Sequence, residues 1–240
     1  MALSSRIEWT EATWNPVTGC TKVSEGCKHC YAETMARRLR AMGQENYRNG
    51  FRFTMHERAI ELPLHWRKPQ RVFVSSMSDL FHESIQASFL DKVFDVMQRA
   101  NWHQFLVLTK RSSRMRDYAR RITWPSNVWA GVTVESKLRT ARLDHLREVP
   151  APVRFVSFEP LLTAIHDVDL SGINWIIVGG ESGPGARPMD PEWAIELRDC
   201  ARAQKVAFFF KQWGGVNKKK TGRELEGRTW DELPPAAQSA

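Results

Sequence analysis

The chain has 240 residues, 42% of them hydrophobic and 26% charged, and carries a net charge of +8. These proportions exclude the disordered and fibrous classes, and the length suits one barrel-sized domain rather than two ordinary ones. The longest apolar runs, Trp175 to Val178 and Val206 to Phe210, fall far short of the roughly 20 residues that cross a bilayer, and no apolar h-region follows the charged start.

A cytoplasmic location without a membrane partner is therefore expected. The positive charge points to a polyanion such as nucleic acid or a nucleotide, because phosphate contacts release counterions.

In chain order, the first run with strand character is Ile7 to Trp14, followed by a cysteine-bearing loop over residues 19–31. Ala32, Met35, Ala36 and Leu39 then recur at helical spacing in Tyr31 to Met42, and Gly43 stands where that helix should stop. Phe51 to His56 and Val72 to Ser76 read as the next strands. Ser88 is placed to cap a helix running to Arg99, with Leu90, Val93, Phe94 and Met97 on one apolar face.

Four more strands follow at Phe105 to Thr109, Val128 to Thr133, Arg154 to Phe158 and Trp175 to Val178. Asp190-Pro191 opens a helix with a cap and a first-turn proline, and Val206 to Phe210 is the last strand. About eight strands alternating with helices predict an α/β fold, a single (β/α) barrel, closed or incomplete, over residues 1–213. From Gly214 to residue 240 the composition predicts a polar tail or small hairpin, with Lys218, Lys219 and Lys220 as a solvated face. No internal repeat is visible.

The strands end in chemistry. Ser75, Ser76 and Asp79 follow the third, Lys110 the fourth, Glu135 the fifth, Glu159 the sixth, Glu181 the seventh, and Lys211 with Gln212 the eighth. A parallel barrel brings all of these ends to one face, so a single deep polar site is expected there.

Cys20, Cys27 and Cys30 are separated by six residues and then two, in the loop after the first strand. In a reducing compartment such cysteines point to metal rather than to disulfides. Gly19 and Gly26 let the backbone wrap a bulky ligand, and the helix starting near Cys30 offers its amide dipoles to thiolates. Three thiolates suit a cubane iron-sulfur cluster that keeps one iron open, or a zinc ion that takes a fourth ligand from His29 or Cys200. Cys200 shares a helical face with Trp193, Leu197 and Ala201 and reads as a core residue.

Around this loop, Gly179-Gly180-Glu181-Ser182-Gly183-Pro184-Gly185 is a turn whose amides can approach a carboxylate or phosphate, with Glu181 free to hold an ammonium. Gly179, Gly180 and Glu181, together with Ser157, form the candidate cofactor-binding set. Glu159, Lys110, Lys211 and Asp79 are the candidate catalytic residues. Glu159 could orient ribose hydroxyls, act as a base, or pair with Lys110 or Lys211; Asp79 and His82 could move protons. Lys110, Arg111 and Lys211 suit a phosphate-bearing substrate, and Trp14 and Trp213 could stack a base.

The stretches TWNPVTGC, GCKHCYAE, SSMSDLFHE, VLTKR, SFEPLL, VGGESGPGARPMDPEW and FFKQWGG together resemble the phage-associated three-cysteine-motif family of uncharacterised proteins, over residue 5 to about residue 232. That family is a remote relative of radical S-adenosylmethionine enzymes. The resemblance implies a [4Fe-4S] cluster whose free iron chelates S-adenosylmethionine, reductive cleavage to a deoxyadenosyl radical, and a reductant protein as partner. Two departures stand out. The common radical-enzyme loop spaces its first two cysteines by three residues rather than six, and its Gly-Gly-Glu segment follows the second strand rather than the seventh. The expected function is a radical S-adenosylmethionine-type enzyme acting on nucleic acid or a nucleotide. The rivals are a zinc-stabilised nucleic-acid-binding module and a non-catalytic partner subunit.

Overall fold

In the computed structural model, residue 5 and residues 7–235 are described, so the extreme ends of both predicted segments, and the side chains of Lys218 and Lys219, lie outside the described residues. Runs of β-branched and aromatic residues form seven strands of one sheet: β1 (Ala12–Trp14), β4 (Arg71–Val74), β5 (Gln104–Thr109), β6 (Val128–Thr133), β7 (Arg154–Phe158), β8 (Trp175–Gly179) and β9 (Ala207–Gln212). They lie in that order, and every neighbouring pair is parallel. The sheet curls into a half-barrel. Between the strands run α1 (Tyr31–Ala41), α2 (Ala87–Arg99), α3 (Ser112–Ala119), α4 (Ala141–Arg147) and α5 (Pro191–Ala203).

The barrel strand expected at Phe51 to His56 is not in this sheet. Only Thr54–Met55 (β3) is extended, and it pairs antiparallel with Val17–Thr18 (β2). An interior parallel strand needs apolar side chains on both faces. Phe51-Arg52-Phe53-Thr54-Met55 alternates instead, so it serves as a one-sided ribbon. β1 is likewise shorter than its sequence run, because the chain turns at Ile7 to Thr10, where Thr10 Oγ1 bonds the carbonyls of Ala12 and Arg71. β4 stops before Ser75, whose φ of 58° breaks the extended backbone. α2 is entered from Gln86, so Ser88 lies inside the first turn rather than capping it.

Alternation along the strands sorts side chains into two cores. Val72, Val74, Phe105, Val107, Ala130, Val132, Val156, Ile176, Phe208 and Phe210 face outward beneath the helices. Phe73, Leu106, Trp129, Phe155, Trp175, Ile177 and Phe209 face inward with Trp9. Trp175 is the hub of the inner cluster, with ring centroids 5.6 Å from Phe155, 6.1 Å from Phe209 and Trp9, and 6.2 Å from Trp129. Opposite Phe155, a Cβ on Gly131 would lie 2.3 Å from the ring, so the glycine makes room for it. These rings close the floor of the half-barrel. The next inward positions, Thr133 and Ser157, are polar, and Glu135, Glu159 and Lys211 follow at the opposite end.

Beyond Gly214 the chain returns along β9: Phe210 N–H donates to Trp230 O (2.9 Å), Glu232 N–H donates to Phe208 O (3.2 Å), and Phe209 bridges Asp231. Leu225 and Trp230 are buried in the main core. The outer edge of β9 is thereby covered, as sheet edges must be to avoid stray pairing.

Candidate cofactor-binding site at the mouth of the half-barrel

The cysteine loop leaves β1 and crosses the mouth under tight backbone control. Asn15 Oδ1 accepts from Met77 N–H (3.0 Å) and Ser76 Oγ (3.2 Å), and Gly19 N–H donates to Met77 O (3.0 Å). Gly19 has a φ of 76°, and a Cβ there would lie 2.2 Å from Arg52 O. Only glycine fits.

Cys20 follows directly and meets a buried arginine. Arg111 donates from Nη1 to Cys20 Sγ (3.5 Å) and to Asp79 Oδ2 (3.1 Å), from Nε to Glu83 (2.7 Å), and from Nη2 to Thr21 O (3.2 Å) and Oγ1 (2.9 Å). Burial, helped by Asp79 and opposed by Arg111, pushes the Cys20 thiol up to about 11. At neutral pH it keeps its proton, which binding to a metal would have to expel.

Asp79 also accepts from Thr109 Oγ1 (2.7 Å), Phe81 N–H (2.9 Å) and Lys110 N–H (3.1 Å). Every partner is a donor to its carboxylate, so Asp79 also ties the loop to the ends of β4 and β5. His82 is buried and stacked on Phe53 at 4.6 Å. Its Nδ1 accepts from Ser84 N–H (3.1 Å), so Nε2 carries the proton and donates to Thr21 Oγ1 (3.0 Å).

The middle of the loop is tied to β6. Glu135, wholly buried, accepts from Ser24 Oγ (2.5 Å) and Arg142 Nη1 (2.7 Å), with Lys110 Nζ at 3.8 Å. Gly26 passes over it so closely that a Cβ would stand 2.4 Å from Glu135 Cγ. Glu25 accepts from Arg139 (2.7 Å) and Ser136 Oγ (2.5 Å), and the hydrogen bond from Arg139 foremost pulls its carboxyl down to about 2. Cys27 ends this turn, and Cys30 stands at the start of α1.

All three cysteines are half-buried free thiols on the one loop. Among the described residues no three His, Cys, Asp or Glu side chains converge closely enough to hold a single metal ion. His29 stands against Gly185, and Cys200 bonds Val168 O (3.3 Å) and Gln204 Nε2 (3.0 Å) in α5.

Across the mouth, Lys211 Nζ lies 2.8 Å from Glu159 Oε1, and Ser157 Oγ donates to Glu159 Oε2 (3.1 Å). Gly179 makes room for this carboxylate, since a Cβ would be 2.9 Å from Oε1. Gly180 instead abuts Trp213 O, 2.0 Å from where its Cβ would be. Glu181 is not free to take an ammonium: Arg187 donates to it from its backbone N–H (3.0 Å), Nε (2.9 Å) and Nη2 (2.5 Å). Trp14 cannot stack a base, because it is fully buried in the outer core with Nε1 donating to Ala59 O (2.7 Å). Trp213 is half-buried, edge-on to Phe210 and bonded to Glu224 O.

Two buried polar atoms at this end have no partner among the described residues, Ser75 Oγ and Gln212 Oε1. Ser75 is 2% exposed and adopts its left-handed backbone at the tip of β4. The Nε1 atoms of Trp9, Trp129 and Trp175 in the floor are unpaired as well, so Ser75 and Gln212 stand out by their place at the mouth, where a polar ligand could reach them. Arg139, Arg142 and Arg187, which hold Glu25, Glu135 and Glu181, carry no signal in the sequence, because each looks like a surface cation until the chain is folded.

The family model described as "Protein of unknown function (DUF5131)" matches residues 4–234. The chain belongs to that family. No curated protein matches it. Among solved structures, a cysteine-to-serine mutant of spore photoproduct lyase is similar with a TM-score of 0.47 and 14% identity, over 73% of this chain and 57% of that one. A double mutant of the same lyase, with bound AdoMet and dinucleoside spore photoproduct, has a TM-score of 0.45 and 12% identity over 70% and 55%. The family chain thus spans a little over half the length of these structures.

Proposed function

We propose that this chain is an iron-sulfur protein of the radical S-adenosylmethionine type, acting on nucleic acid or a nucleotide. The observation that carries the reading is one loop, leaving the first strand of a parallel half-barrel, that presents Cys20, Cys27 and Cys30 beside a polar mouth. Three thiols on one loop suit a cubane that keeps one iron open, whereas a structural zinc wants a fourth ligand, and Cys200 lies away in α5 bonded to Val168 O. Bound there, such a cluster with an open iron would supply one-electron reduction of a chelated sulfonium.

The chain's own residues supply the rest. Arg111 orients Cys20 and places a fixed positive charge beside it. Ser75 and Gln212 offer unsatisfied polar atoms to a cofactor, while Gly179 admits the Glu159 carboxylate and Gly180 the backbone of Trp213. Glu159, held by Ser157 and Lys211, is the carboxylate suited to ribose hydroxyls, and Lys110 stands across the mouth to receive a phosphate. Glu181, closed by Arg187, stiffens the turn that follows β8.

Anaerobic reconstitution should yield a brown protein with broad absorption near about 400 nm that releases 5′-deoxyadenosine from S-adenosylmethionine when given a chemical reductant. Cys27→Ala should keep its far-ultraviolet circular dichroism and lose the iron. A colourless protein holding stoichiometric zinc would overturn the proposal.

A further inference from the structure

The outer side of the cysteine loop carries a second feature. Between α1 and the segment around residues 49–52 lies a hollow of about 500 Å³ lined by Cys20, Lys22, Arg37, Arg40, Phe51 and Arg52, with Glu33, Asn49 and Gly50. A neighbouring hollow of similar size continues around the start of α1, past Lys28, Cys30, Tyr31 and Arg38. Glu33 is the single carboxylate lining either, and it is already held by Arg37 (2.6 Å) and Lys22 (3.4 Å). Arg38, Arg40 and Arg52 are exposed and have no carboxylate partner among the described residues. Exposed cations with no acid to answer them, set around a concavity, leave a local field that only an external anion can neutralise.

The geometry points to this double hollow as a track for the phosphate backbone of a single-stranded nucleic acid, leading a nucleotide to the cysteine loop. The inference rests on the function proposed above and names where its substrate docks. Charge complementarity selects a polyanion, and the side chains select the class. Guanidinium groups match phosphate oxygens in a two-pronged geometry that a lysine patch lacks. Phe51 lines the first hollow and Tyr31, 54% exposed, stands in the second, so each offers an aromatic face beside the cations, the combination on which unpaired bases stack. An acidic protein would use the charge and leave the aromatic rings without a planar partner. Cys20 and Cys30 each line one hollow, so a strand lying across both passes the thiols.

The test is fluorescence anisotropy of the full-length protein with a fluorescein-labelled oligothymidine of about 20 nucleotides, at salt concentrations from about 50 to 200 mM. The triple variant Arg38→Glu, Arg40→Glu, Arg52→Glu should weaken binding by about tenfold or more and lower the slope of log K against log salt by about 2, the loss expected when about three phosphate contacts disappear. The control reverses Arg67, Lys68 and Arg121, exposed residues on the loops that enter β4 and β6 from the opposite end of the sheet; it carries the same net charge and should bind as the parent does. A triple variant indistinguishable from this control would overturn the inference. So would a parent protein that fails to bind, or polyglutamate displacing the oligonucleotide as well as unlabelled oligothymidine does. Iron content and deoxyadenosine release, measured on the same samples, distinguish a misplaced track from failure of the proposed function: they stay at the parent level in the first case and are absent in the second.

Discussion

Replacing Gly26 with alanine tests whether the cysteine loop is clamped onto the sheet. A Cβ at this position would stand 2.4 Å from Glu135 Cγ, 2.6 Å from Oε1 and 2.9 Å from Cδ. Carbon atoms rest at about 3.5 Å or more, so one side must retreat by about 1 Å. Glu135 cannot easily do so, because it is fully buried and held by Ser24 and Arg142. The loop therefore moves, or the ion pair loosens, at a cost of about 1–3 kcal/mol, as for other overpacked sites. Urea denaturation of the metal-free protein would measure it, and iron bound per chain after reconstitution would report on Cys27, the next residue.

The decisive comparison is a double-mutant cycle with Glu135→Ala. That change alone strands Arg142 and should cost about 3–5 kcal/mol, but it also removes the atom that Gly26→Ala would strike. Added to Glu135→Ala, the alanine should cost almost nothing, giving a coupling of about 1–3 kcal/mol. Costs that add within about 0.5 kcal/mol would refute the clamp.

Further outcomes follow from the same geometry. Burial first, and the Arg111 charge second, hold the His82 imidazole below its ordinary value of 6.5. The unfolded chain then takes up a proton that the folded one refuses, so His82's contribution is complete above about pH 6.5 and declines as pH falls below it. Melting temperatures of His82→Gln should consequently fall less than those of the parent between about pH 7.5 and 5.5; parallel curves would contradict this. Trp175→Ala, at the hub of the inner floor, should destabilise by about 3–5 kcal/mol in urea, and a loss below about 1 kcal/mol would show that the floor is not close-packed. Cys200→Ser should retain its full iron content after reconstitution, in contrast to Cys27→Ala; iron loss would make Cys200 a ligand.

Part of the site was legible from the start. Alternating strands and amphipathic helices marked a parallel α/β sheet, and polar residues at strand ends predicted one mouth, because a strand's period of two and a helix's of 3.6 are written locally. The run from Phe51 to His56 carries strand character in sequence yet forms only a short ribbon with Val17–Thr18, because local pattern does not encode which neighbour a strand pairs with. Trp14 looked available to a base, yet its place on the outward face of β1 put it in the core.

What the linear chain determined by itself was the class of fold, the end where chemistry gathers and the three thiols on one loop, each a matter of spacing between near neighbours. Which charges hold which was decided only by folding. Arg111 reaches Cys20 across 91 positions and Ser24 reaches Glu135 across 111, and an ion pair depends on where two side chains meet in space, which no local pattern encodes.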